Sequence, residues 1–109
     1  MKPICETVAQ YVLPAIRAII ARDLIECHHM TQKEAAKKLG MTQPAVSQYG
    51  KHTRGTRAKV IETDSEISKM VTEISQSLAK GEINLDEATE RVCDICKHMR
   101  KRGLIQKMH

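Results

Sequence analysis

Two groups of side chains in this 109-residue chain have types and spacings suited to chemistry. The first is Gln43, Ser47 and Gln48, with Thr42 and Pro44 just before them. A glutamine amide donates and accepts at once, which matches the N7 and N6 edge of adenine in the major groove of a duplex. A serine hydroxyl can bond to several bases or to a phosphate. The second group is Cys5, Cys93 and Cys96. Cys93 and Cys96 stand three apart within a predicted helix, so both sulfurs point to one side. Thiolates in such a set can hold zinc or an iron–sulfur cluster, and a reactive thiol can serve as a redox switch.

The glutamines need a rigid element to present them, and residues 32–49, QKEAAKKLGMTQPAVSQY, read as that element. Ala36 is small where two helices must cross closely. Gly40 follows four residues later, where the turn needs a positive φ that glycine adopts cheaply. Val46 is the inward apolar residue of the second helix, and Leu39, Met41 and Tyr49 supply further apolar contacts. Thr42 can cap the second helix, and Pro44 fits its first turn, where a missing N–H costs nothing. The pattern predicts a helix-turn-helix with helices over about 31–38 and 42–49. Its second helix would lie in the major groove of duplex DNA. A plain helical hairpin in a bundle is the alternative. Gln32 opens the first helix, where side chain and backbone N–H groups can meet a phosphate.

Charge supports the duplex reading. Residues 31–60 carry seven Lys/Arg against Glu34 alone, residues 61–96 carry three against nine acids, and residues 97–109 carry five and no acid, within a net charge of +5. The basic block contains the helix-turn-helix. Residues 50–60, GKHTRGTRAKV, read as a basic loop whose Lys51, Arg54 and Arg57 contact the phosphate backbone and supply salt-dependent, sequence-blind affinity. The acidic block is a poor DNA surface and suits solvent or a partner protein.

The remaining elements also read as helices, and no strand pattern is present. Val8, Val12, Ile16, Ile19, Ile20 and Leu24 recur at three- and four-residue steps and predict a helix over Cys5 to about Glu26, bent or broken after Leu13 by Pro14. A further helix is predicted over Ser65 to Ala79, capped by Thr63 or Asp64 and stopped at Lys80–Gly81. A last helix starts near Asn84–Asp86 and ends before Gly103. Its Leu85, Ala88, Val92, Ile95 and Met99 form a coiled-coil-like seam. That seam reads as a dimer interface, because paired half-sites are the usual way such units gain affinity, and packing within one subunit is the alternative. The expected fold is all-α: one small domain, with the repressor-like helix-turn-helix in residues 1–60 and a helical pair in residues 61–109. No apolar run is long enough to span a bilayer and the N-terminus has no signal-peptide pattern, so a cytoplasmic location is expected.

Residues 31–50, with the run TQPAVSQ at the reading helix, resemble the helix-turn-helix of phage repressor and Cro-type (XRE-type) regulators. The whole chain resembles a group of archaeal predicted transcriptional regulators of that type. The similarity runs through PICE and YVLPAIR near the start, AVSQY with the glycine-containing basic segment after it, and CDICKHMRKRGLI near the end. The resemblance implies sequence-specific binding to double-stranded DNA as a homodimer. It also implies a cysteine near the start, a CxxC and a further cysteine near the C-terminus. Cys5, Cys93 and Cys96 match the first three, and Gln106 stands at the position of the last.

Three readings of the cysteines stay open. They are plain thiols; or Cys5, Cys93 and Cys96 bind a metal or iron–sulfur cluster, with His109 or a second subunit completing the set; or Cys93 is a redox switch. By helical geometry Cys96 lies at the flank of the apolar stripe and Cys93 well outside it, near Lys97 and Arg100. Cys27, His28 and His29 follow the end of a predicted helix, where histidine commonly interacts with the helix C-terminus. No enzyme is expected: there is no glycine-rich phosphate loop, no nucleophile–base pair and no small-molecule substrate site in evidence. Single-strand binding needs stacking aromatics, and Tyr11 and Tyr49 are the whole supply. A protein-interaction module, or an antitoxin-like regulator using the acidic helix from Asp64 to Lys80, is the reading from another class.

Overall fold

The computed structural model describes residues 12–52 and 56–103. Among them the chain is all-helical: α1 Leu13–Glu26, α2 Gln32–Leu39, α3 Gln43–His52, α4 Thr56–Thr63, α5 Ser65–Lys80 and α6 Leu85–Lys101. α1 is apolar on nearly every side, with Ala15, Ile16, Ala18, Ile19, Ile20, Ala21 and Leu24 buried. A helix without a polar face belongs inside, and α1 is the central strut against which each of the other five packs. Pro14 lies in its first turn, where no intrahelical N–H is lost. The segment expected to precede it, including Cys5 and Val8, lies outside the described residues.

Each later boundary has a local cause. α1 ends where the Cys27 N–H donates to Asp23 O and the Met30 N–H to Leu24 O, with His29 in the left-handed region at φ 56°. α2 begins at Thr31, whose hydroxyl accepts from the Glu34 N–H while the Glu34 carboxylate turns back to the Thr31 N–H. α5 is capped by Asp64, which accepts from the Ile67 N–H at 3.0 Å, and α6 by Asn84, which accepts from the Glu87 N–H at 2.9 Å. These caps satisfy donors the first turn would otherwise leave unpaired.

Residues 50–52 and 56–60 are helical rather than part of the expected basic loop, and residues 53–55 lie outside the described residues. α3 runs on through Gly50 to His52, and α4 is helical from Thr56. Ala58 and Ile61 are fully buried and Val60 packs against the same core. Burial of that three-residue-spaced pair gives this short helix its packing face. Arg22 also donates to the Glu62 carboxylate, fixing α4 to α1.

The seam on α6 is spent inside the chain. Ala88, Val92, Ile95 and Met99 belong to the single core formed with α1 and α5, and only Leu85 is substantially exposed, at 40%. The expected use of this seam as a dimer interface is therefore corrected: the stripe is covered within the chain, mainly by α5 and to a lesser extent by α1.

Candidate nucleic-acid interface

The motif helices meet as a helix-turn-helix. Gly40 ends α2 at φ 65°, ψ 36°, and its N–H donates back to Ala36 O and Lys37 O. Ala36, 4% exposed, is buried at the crossing, and Val46, at 3%, is the buried anchor of α3. Thr42 caps α3, its hydroxyl accepting from the Ala45 N–H at 3.3 Å. Pro44 sits at the second position of the helix, where its ring is tolerated.

With Val46 turned inward, Thr42, Gln43, Pro44, Ser47 and Gln48 are all exposed. They form one surface over the first turns of α3. Gln32 is exposed at the opening of α2, next to the exposed Thr31 and Lys33. The N-terminal ends of both helices thus carry accessible side chains of the expected kinds, and backbone dipoles there favour an anion. Lys51 lies in the last turn of α3 and Arg57 in the first turn of α4, while Arg54 lies outside the described residues. Two further residues belong to this surface that were not singled out above, Thr31 and Glu34. The pattern Thr-x-x-Glu ahead of an apolar pair is a capping-box signature visible in the chain.

The cysteine set separates. Cys93 is exposed and Cys96 is buried. Burial, and secondarily the neighbouring Cys93, pushes the Cys96 thiol up to about 12. Cys5 lies outside the described residues. Among the described residues no three His, Cys, Asp or Glu side chains gather where a metal could bind, Cys27, His28 and His29 included. Those three instead form the backbone turn that ends α1.

No helix among the described residues is long and apolar enough to cross a membrane. Compared with protein-family models, with curated proteins and with solved structures, the chain matches none of them.

Proposed function

We propose that this protein is a sequence-specific, double-stranded-DNA-binding transcriptional regulator whose reading helix is α3. The observation that carries the reading is the split of α3. Val46 is buried against the rest of the fold, while Gln43, Ser47 and Gln48, in the first two turns around it, are all exposed. A helix held by one face, with amide and hydroxyl groups left free, has the form needed for reading base edges. The preponderance of Lys and Arg in residues 31–60 supplies attraction to phosphate. Two chains on neighbouring half-sites would supply the usual affinity, with a pairing surface other than the α6 seam. An anionic polymer of another kind would be drawn by the same charge, so base readout is what the test must measure.

A duplex that binds is first enriched from a randomised library, and Gln43→Ala is then titrated against it and against random duplex. The variant loses roughly 1–3 kcal/mol on the enriched site and little on random DNA. Equal losses on both would overturn base reading by α3.

A further inference from the structure

Between α1, the α2–α3 turn and α6 lies an apolar pocket of about 430 Å³. That volume falls within the range that encloses small ligands, roughly 300–1,000 Å³. Ile20, Leu39, Met41, Leu78 and Val92 line it, and no acidic residue does. The hydroxyl of Thr89, also in the wall, is already used: it donates to Leu85 O at 2.9 Å. That leaves Arg17 at the rim. Arg17 is exposed and forms no ion pair with any described residue, whereas Arg22, little more than one turn along the same helix, is held by Glu62 and Asp23. An apolar cavity with one guanidinium at its mouth, paired with no described residue, complements a small molecule with a hydrocarbon body and one carboxylate.

The position of the pocket gives it a consequence. Leu85, the large hydrophobic residue left half exposed, roofs it and rests on Gly40: a Cβ added at Gly40 would lie 2.6 Å from Leu85 Cδ2. Leu39, Gly40, Met41 and Ala45 all belong to the helix-turn-helix, and all border the pocket. A molecule inside it would press on the turn that sets α3 against α2.

We infer that this pocket is an effector site for a small apolar carboxylate, and that filling it loosens the seating of the helix-turn-helix and lowers its affinity for DNA. The binding half stands without the DNA reading, and the regulatory half rests on it. Decanoate, below the concentration at which it forms micelles, is the probe, and decanol is its uncharged counterpart. Cys93 borders the pocket and is exposed, so its alkylation reports occupancy, while Cys27, exposed at the far end of α1, is the internal control.

With decanoate at about ten times its dissociation constant, alkylation of Cys93 slows roughly tenfold and that of Cys27 is unchanged. Arg17→Gln, checked for native helicity, weakens decanoate binding roughly tenfold, so the same concentration slows Cys93 alkylation only about twofold. Equal protection by decanol, or none by decanoate, overturns the site. Decanoate also lowers affinity for the enriched duplex roughly tenfold, and protection with unaltered duplex affinity overturns the regulatory half. Protection of Cys93 by a protein that binds no duplex leaves the pocket standing and overturns the DNA reading. Duplex binding without protection does the reverse.

Discussion

Gly40 and Cys96 are the two residues whose neighbours constrain them most. Gly40 takes a left-handed conformation that costs an L side chain about 1–2 kcal/mol, whatever the space around it. Gly81 takes a similar one, at φ 73°, but an added Cβ there would meet nothing within 4 Å. Both Gly→Ala variants should therefore lose about 1–2 kcal/mol in denaturant unfolding from backbone strain, and Gly40→Ala should lose more, because Leu85 must move. Combining Gly40→Ala with Leu85→Ala relieves that excess and leaves the backbone part; a strictly additive double variant would contradict the contact. At Cys96 burial sets the proton equilibrium. The thiol is neutral in both states below its ordinary value of 9, so it has no effect on stability there. Its folded-state value is raised, so stability drains as pH climbs from 9 towards about 12. Cys96→Val should lose less stability over that alkaline range than the parent. Mass spectrometry of the native protein alkylated at pH 8 should find Cys93 modified and Cys96 untouched.

The helices illustrate which signals a sequence carries. α5 and α6 begin and end close to the positions that periodicity and capping residues predict, because Asp64, Asn84 and Gly81 act on the backbone within three or four residues of themselves. The α2–Gly40–α3 unit was legible for the same reason: its glycine, cap and buried valine are local. α4 was not, since nothing near Thr56 announces a helix, and what holds it is burial of Ala58 and Ile61 with the Arg22–Glu62 pair, forty residues apart in sequence. The fate of the α6 seam was hidden too, because a stripe of apolar residues does not name its partner. Of the candidate site, the exposed residues of α3 could be read from the chain, whereas the pocket beside it could not, being lined by residues of α1, α2, α3, α5 and α6. Asp64 also joins two elements. It caps α5 and meets Arg102, just past the end of α6, at 2.8 Å, and the hydrogen bond from Arg102 holds its carboxyl below the ordinary 3.8. A lowered folded-state value gives stability that is present above the unfolded value and lost as pH falls through the folded one. Asp64→Asn keeps an oxygen for the cap but loses the charge. Its melting temperature should consequently fall less than the parent's between pH 5 and the acid limit. Parallel curves would remove the pair from any role in acid stability.

Across the whole molecule, charge and core run in different directions. Lys and Arg dominate the middle of the chain and the C-terminal segment, and the acids concentrate between them in residues 61–96, so on the proposed reading duplex DNA would be drawn to the basic segments and repelled by the acidic one. Affinity for random duplex should accordingly fall steeply with salt, and Arg54→Ala should flatten that slope by about one unit; an unchanged slope would remove Arg54 from the phosphate contacts. The core does not divide in this way. One apolar cluster runs from Val12 to Met99, and the radius of gyration is 13.1 Å. A single globule of this length is expected at about 13 Å. The apolar stripe of α6 is therefore needed to complete one chain, which separates folding from pairing. Ile95, 1% exposed at the middle of that stripe, provides the test. Ile95→Ala should cost about 2–5 kcal/mol, the range for emptying a buried aliphatic site. If the stripe closes one chain, Ile95→Ala lowers the melting temperature but leaves the association state measured by sedimentation the same as the parent's. If it instead joined two chains, Ile95→Ala would weaken association, and the variant would dissociate at concentrations where the parent stays paired. Sedimentation of both proteins at two concentrations a decade apart distinguishes the cases, and a variant that keeps native helicity but dissociates where the parent does not would return α6 to the dimer interface its seam first suggested.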